Sequence, residues 1–401
     1  MVTTFFPPFS FGGDGILVER LARALVRRGH AVTVMHDAHA WRQLARAPDP
    51  PRPRWPEGLT VVTLDGALGR LSPLLVHQLG RQVVHGRRLA TLVDGGGFDV
   101  VHTHNVSLVG GAGVFAPGPA LRLHTAHDHW LVCPSHDLWR HGREPCSGRQ
   151  CLRCVLAHGR PPQLWRATGG LARRLRHVDA FLALSEFSRA KHAEFGFPCP
   201  MEVVPPFVEA REAAPGHADH PRPYLLFVGR LERLKGLDRV IPVLERHPGA
   251  DLVVAGDGRE AAALRALAAG RRVRFLGRLS QEELDPWYRD ALALFAPSLG
   301  FETFSLVLLE AFRHGTPVIA RRRGPFPEIV GASGAGLLFE SDDELLAALD
   351  EVQHAPGRRA ELSRRALAAA AGPWAEETVL AQYLDVVRRA AERRGVTAPG
   401  R

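Results

Sequence analysis

Lysine is almost missing from this chain. Its 401 residues hold 51 lysines and arginines, and only Lys191 and Lys235 are lysine. Long apolar runs are missing too. No stretch of about 18 uncharged apolar residues occurs, which excludes a membrane-spanning helix. The first residues, Met-Val-Thr-Thr-Phe-Phe-Pro-Pro, contain no basic leader and no small-residue cleavage site. A secretory signal is therefore not expected, and a cytoplasmic location is, at most at the inner face of a membrane. Aromatics make up 7% of the chain and fall mostly in core-like positions, so the stacking platforms of a single-strand nucleic-acid binder are not expected.

The chain does carry charge, with a formal net value of +9. The arginines are scattered through every segment instead of forming one block. Together with abundant Ala, Gly and Pro, they reflect a compositional bias more than a nucleic-acid footprint. A basic surface still favours anionic partners such as nucleoside diphosphates, or peripheral association with anionic lipid head groups. Against that bias a lysine at position 235 suggests a site that wants a compact ammonium instead of a planar guanidinium.

At 401 residues two cores are expected. Apolar strand-like runs alternate with amphipathic helical patterns in two series. The first has strands near 1–6, 31–35, 59–64, 98–102, 121–126, 180–184 and 201–204, with helices over 18–28 and 73–93. The second has strands near 224–228, 251–255, 273–276, 291–296 and 316–320, and ends in helices near 342–353, 358–371 and 374–394. This alternation predicts two doubly wound parallel α/β domains. The expected division is 1–208, 209–373 and a final helical segment, 374–401, crossing back toward the first domain. Residues 209–223, rich in Pro, Ala and His, read as the linker. Open α/β sheets place ligands outside their strand carboxyl ends, so binding crevices are expected to face one another across a cleft.

The glycine-rich turn Gly12-Gly13-Asp14-Gly15 opens the first helix and suits close approach of an anion to backbone amides, with Gly13 a candidate contact. It lacks the third glycine of a dinucleotide fingerprint, and a plain tight turn explains it equally well. Gly229-Arg230-Leu231-Glu232-Arg233-Leu234-Lys235-Gly236 holds the corresponding place in the second domain. Arg230 and Lys235 could converge on a diphosphate there, or be a solvated basic loop. Gly256-Asp257-Gly258 is a weaker turn signal. Phe301–Glu310 holds a loop carboxylate, Glu302, separated by seven residues from a helical one, Glu310. A helix starting near Phe304 and stopping at Gly315 would offer its amino end to a phosphate. Glu310 would then lie about 9 Å along the axis from Phe304, near the span from a diphosphate to a ribose.

The set Gly-Arg-Leu…Lys-Gly, Gly-Asp-Gly and Glu-x7-Glu resembles the family-four, retaining, nucleotide-sugar-dependent glycosyltransferases of GT-B fold. Residues Gly12–Thr33 and His127–Cys133 are similar to the same family's acceptor domain. The resemblance covers essentially the whole chain and is specific for the class, not for a substrate. It implies a nucleotide-sugar donor and a glycan, lipid or other acceptor. Arg230 and Lys235 would hold the diphosphate, Glu310 the ribose, and Glu302 the transferred sugar. Gly13, Gly256 and the amides around Phe304 and Ser305 would line the donor, and His127 would lie close to its sugar. The sequence departs from the family at Thr303, where many members have proline. The first strand is also short, as though the true start lay upstream.

Breaking an anomeric C–O bond puts negative charge on the departing diphosphate. Nucleotide-sugar enzymes of another fold meet that charge with an Asp-x-Asp pair and a divalent metal, and no Asp-x-Asp occurs here. Arg230, Lys235 and a helix amino end doing the metal's work is self-consistent, so no catalytic cofactor is expected. A GT-B sugar-nucleotide epimerase is the alternative enzyme reading. A basic, zinc-containing nucleic-acid-binding protein is the alternative of another class. His102-Thr103-His104-Asn105 ends a strand at the expected crevice and reads either as a contact or as a set of strand-capping side chains.

Four of the five cysteines, Cys133, Cys146, Cys151 and Cys154, cluster in a Cys-rich loop over 133–154. A structural zinc and four free thiols are equally consistent with a single Cys-x2-Cys pair. Cys199 reads as a small buried hydrophobe.

Overall fold

The computed structural model describes residues 1–45, 48–66, 69–209 and 211–396. Ala210 of the segment read as a linker, and residues 397–401 of the final segment, lie outside the described residues. The chain divides into two units. One comprises residues 1–142, 148–204 and those from 380 on, and the other comprises 143–147 and 205–379.

In the first unit, β1 (Val32–Asp37) pairs in parallel with β2 (Leu59–Leu64). A second ladder runs β3 (Val100–Thr103), β4 (Leu121–Ala126), β5 (Ala180–Ala183) and β6 (Met201–Val203), also parallel. The expected first strand joins these two ladders. Val2 bridges Met35 on one side and Thr103 on the other, its N–H donating to His102 O at 2.9 Å. The Pro7–Pro8 pair cannot continue a ladder, which keeps this strand short. Inserting it gives the spatial order β2, β1, residues 1–4, β3, β4, β5, β6, with the reversal of direction beside residues 1–4.

Two helices differ from expectation. The first begins earlier, as Gly13–Arg27, so the glycine turn is itself the helix start. The pattern over 73–93 is broken into Ser72–Leu79 and Gly86–Gly95. Gly80 caps the first piece in a left-handed conformation (φ 65°) and leaves room for the Trp165 ring, which periodicity alone cannot reveal.

The second unit is one six-stranded parallel sheet. Its strands are β7 (Tyr224–Val228), β8 (Asp251–Ala255), β9 (Val273–Gly277), β10 (Ala293–Ala296), β11 (Val318–Arg321) and β12 (Gly336–Phe339). The order is β9-β8-β7-β10-β11-β12, the doubly wound arrangement that reverses between its first and fourth strands. Leu226 at the centre of β7 pairs with Val253 of β8 and Leu294 of β10. The strands are near-continuous apolar runs because helices cover both faces, and Leu225, Phe227, Leu252, Val254, Phe295 and Ile319 are buried together. The helices Asp342–His354, Pro356–Ala371 and Glu376–Arg394 fall close to their expected places.

The segment read as a linker is tied down from Arg211 to Arg222. Arg211 grips Asp285 with both guanidinium nitrogens at 2.7 Å, and His217 meets Asp290. His220 and Arg222 both meet Asp251. It is part of the second unit's surface, because its polar residues have acidic partners far away in sequence.

Loops at the carboxyl edge of this sheet touch backbone to backbone. A Cβ on Gly256 (φ 145°) would lie 1.9 Å from Gly229 O, and one on Gly236 (φ 75°) 2.6 Å from Pro297 O. Gly256→Ala should therefore cost about 3 kcal/mol or more of second-unit stability. Gly331, on the helix Phe326–Ser333, has open space around it. Gly331→Ala should gain about 0.5 kcal/mol. Urea unfolding of the two variants checks this, and equal midpoints would contradict the contact argument.

Candidate active site

The second sheet changes direction between β7 and β10, so the loops after Val228 and Ala296 diverge from neighbouring strand ends, where α/β sheets bind ligands. They are fastened to each other. Leu299 and Gly300 both donate backbone N–H groups to Leu234 O, at 2.8 and 3.0 Å. A single 3-10 turn, Arg233–Lys235, then delivers Lys235 Nζ to 3.0 Å from Glu302 Oε1. The Ser298 hydroxyl donates to the same oxygen. Lys235 and Glu302 retain 20% and 14% side-chain exposure, so the pair is sheltered yet reachable. Arg230 lies exposed at the start of the loop and takes no part in this pair.

Glu302 leads through buried Thr303, Phe304 and Ser305 into the helix Leu306–Arg313. Ser305 is the N-cap, so the helix starts two residues after Phe304. Its side chain makes no capping bond; the Leu308 N–H donates to Ser305 O at 3.2 Å, which leaves the Leu306 and Val307 amides for another acceptor. Glu310 lies about 6 Å along the axis from Leu306. Its carboxylate is buried, and the Tyr288 hydroxyl donates to Oε2 at 3.0 Å.

Behind Glu310 is a group of side chains that no local pattern announces. The Tyr288 ring stacks on His314 with centroids 5.5 Å apart and planes 3° apart. His314 Nε2 is 2.9 Å from Asp285 Oδ1, an acceptor, and equally 2.9 Å from Arg313 Nη2, a donor. Burial, with Arg313 adjacent, holds His314 down to about 4 and hence neutral. Burial pushes the Asp285 carboxyl up, but bonds from Arg211, the Ala214 N–H and the Arg313 charge outweigh it and leave the group ionised.

Gly256 plays a packing part, since Gly229 O fills the place of its side chain. Gly13 is exposed in the first turn of its helix, where Asp14 Oδ2 accepts from Asn105 at 3.1 Å. Asn105 also reaches Asp128, at 3.5 Å.

Imidazoles dominate the first unit's strand ends. His102 and His104 are buried with ring centroids 4.0 Å apart. His102 contacts Thr125 Oγ1 (2.8 Å) and Tyr383 Oη (3.1 Å), which makes it an internal strut. His104 Nδ1 lies 2.9 Å from His127 Nε2, while the buried His104 Nε2 has no hydrogen-bond partner. A buried N–H without an acceptor is disfavoured, so the His104 proton belongs on Nδ1 and is donated to His127. His127 then keeps its own proton on Nδ1. Burial holds His127 down to about 4, against the opposing pull of Asp128.

Burial pushes Asp128 up, but His136 and the Trp130 N–H prevail and bring it to about 2. His136, Leu138 and His141 all adopt positive φ (77°, 48° and 52°) without being glycine, a local cost of order 1–3 kcal/mol each that functional loops often carry.

None of the five cysteines forms a disulfide. Cys151 and Cys154 share a face of the helix Cys151–Ala157, and Cys154 Sγ accepts from the His141 N–H at 3.3 Å. Burial pushes the Cys133 thiol up to about 12, the protonated form. Among the described residues, no three of the four thiols converge to metal-ligand spacing.

Two doubly wound units define a GT-B architecture, and solved structures agree. Sucrose-phosphate synthase from Thermosynechococcus elongatus matches with a TM-score of 0.75 at 19% identity, over 98% of this chain and 98% of that one. HepE from Anabaena, solved in complex with UDP and glucose, matches with a TM-score of 0.65 at 17% identity, over 97% and 99%. In sequence, residues 11–212 match the family described as Glycosyltransferase Family 4, and residues 209–368 that described as Glycosyl transferases group 1. D-inositol 3-phosphate glycosyltransferase of Acidothermus cellulolyticus is 30% identical over 395 residues, covering 89% of this chain and 81% of that one. The chain belongs to the family-four, group 1 glycosyltransferases, and it is an enzyme that transfers glycosyl groups. The epimerase and nucleic-acid readings find no support among these relatives.

The buried imidazoles imply a defined response to acid. Burial holds His102 and His104 well below the usual range and brings His124 to about 3. With His127, all return to about 6.5 on unfolding. The unfolded chain therefore binds more protons below that pH, so stability is complete above about 6.5 and is lost as pH falls toward 4. At pH 5 these four groups alone give an uptake of about four protons, and His124→Asn should lower it by about one. Denaturant midpoints measured from roughly pH 7 to 4.5 check this, and a flat profile would contradict it.

Proposed function

We propose that this enzyme moves a sugar from a nucleoside diphosphate sugar to a glycan, lipid or other acceptor with retention of configuration, using side-chain cations at the diphosphate. The observation that carries the reading is the Lys235–Glu302 pair beside the uncapped amino end of Leu306–Arg313, with buried Glu310 further along the same helix.

In this reading the Lys235 ammonium, with three donors, can keep Glu302 while turning toward the diphosphate. Arg230, exposed at the loop's start, closes over the same group. The first-turn amides after Ser305 and the backbone of Phe304 take phosphate or sugar oxygens. These charges are fixed before the bond breaks, so they stabilise the leaving group without costly rearrangement. Glu302 accepts from sugar hydroxyls and Glu310 from the ribose. His127 offers a neutral imidazole to the sugar, with its tautomer fixed by His104. Same-face attack by the acceptor accounts for retention without a covalent intermediate. A donor bearing UDP is consistent with HepE, which was solved with UDP and glucose.

Lys235→Ala and Glu310→Ala should each lower transfer by roughly 100-fold or more while leaving the unfolding transition intact. Full activity in either variant would refute the assignment. Thermal stabilisation by a panel of UDP-, GDP-, ADP- and dTDP-sugars identifies the base, and stabilisation by none would remove the nucleotide-sugar reading. Tyr288→Phe keeps the ring stacked on His314 and deletes only the hydroxyl. A hydrogen bond to a charged group is worth about 1.5–3 kcal/mol, so nucleotide affinity should fall about 10- to 100-fold. Unchanged affinity in calorimetric titration would separate Tyr288 from Glu310's role.

A further inference from the structure

A second cluster of ligating side chains lies elsewhere in the second unit and owes nothing to the transfer reading. His247 follows the helix Leu237–Leu244, its N–H returning to Leu244 O at 3.1 Å, and its side chain is only 7% exposed. His247 Nε2 meets Asp350 Oδ1 at 3.0 Å. One turn on along the helix Asp342–His354, His354 Nδ1 lies 3.5 Å from the same Asp350 oxygen. The three donor atoms all lie within 4.8 Å of one another, the one such group among the described residues.

We infer that His247, Asp350 and His354 form a binding site for a divalent transition-metal ion of the zinc class. A tetrahedral ion with bonds of about 2.0–2.1 Å sets its ligands about 3.3 Å apart. The two shorter separations here bracket that value. Two imidazole nitrogens with one carboxylate disfavour magnesium and calcium, which prefer oxygen, and suit zinc, cobalt or nickel. Water completes the coordination, and it has access, because Asp350 and His354 are 64% and 65% exposed. Two ligands on one helix and the third on the segment entering β8 make the ion a tie across this face.

The test is cobalt titration of chelator-treated full-length protein. The expected result is one equivalent bound with a weak visible spectrum of nitrogen and oxygen ligation. Zinc should displace the cobalt and raise Tm by about 2–4 °C. His354→Ala and Asp350→Asn, both at exposed positions, should each weaken binding at least about tenfold, whereas Cys151→Ser should not change it. No saturable binding up to roughly millimolar cobalt would overturn the site. So would undiminished binding in His354→Ala, or an intense near-ultraviolet thiolate band placing the ion on the cysteines.

Discussion

The close approach of backbones at the carboxyl edge of the second sheet is the constraint on which the candidate site rests. Gly256 lies against Gly229 O, Gly236 against Pro297 O, and Leu234 O takes two N–H groups from the loop after β10. Each contact joins segments that are not neighbours in sequence by backbone atoms alone. Together they fix where the 3-10 turn ends, and so where Lys235 can reach. An ammonium on a flexible four-carbon stem would otherwise lose too much rotamer freedom for an ion pair to define a geometry. Here the loops are already held, and Ser298 orients the shared oxygen of Glu302. The pair therefore reports the sheet's reversal more than any attraction between its own charges.

The two units bury polar groups in opposite ways. In the first, imidazoles are packed against one another and against Thr125 and Tyr383, and desolvation keeps them neutral. In the second, charge is retained and matched: Asp285 accepts from Arg211 and Arg313 with His314 alongside. Removing one member of such a buried ionic group commonly costs 3–5 kcal/mol, because the remaining charge is left without a partner. A neutral network has no such orphan charge, but it does confine each proton to one nitrogen. The first arrangement suits hydrogen-bonding to uncharged hydroxyls, and the second suits holding a carboxylate such as Glu310 rigid.

Local pattern was enough to read five of the six strands of the second unit, though not β12, with the glycine turns after them and the Glu302–Glu310 spacing, because each depends on residues close together in sequence. Glu302 and Lys235 could be named separately, but not as partners, since 67 positions separate them. Tyr288 and Asp285 were not legible. Tyr288 lies on the amphipathic helix Gln281–Asp290 as one more buried aromatic, and only its placement 22 positions before Glu310 gives its hydroxyl a purpose. The break at Gly80 and the fastening of residues 211–222 escaped for the same reason: the Trp165 ring and the acids of positions 251, 285 and 290 are remote. The Cys-x2-Cys spacing was the most visible ligand signal, yet the converging donors are His247, Asp350 and His354, which have no common motif.

Rarity alone does not explain the two lysines. Lys191 pairs with Glu194 one turn away on the same helix, 2.7 Å apart, an arrangement worth a few tenths of a kcal/mol that arginine would serve as well. Lys235 differs because its partner is set by two loops and is itself sheltered, Glu302 being 14% exposed against 54% for Glu194. A guanidinium there would present a planar fork and tend to saturate itself on Glu302 in a bidentate contact. A compact ammonium can hold one carboxylate oxygen and still offer donors in other directions. What marks position 235 is therefore the geometry around it. The scarcity of lysine only makes the choice visible, and a chain richer in lysine would place the same demand on this position without advertising it.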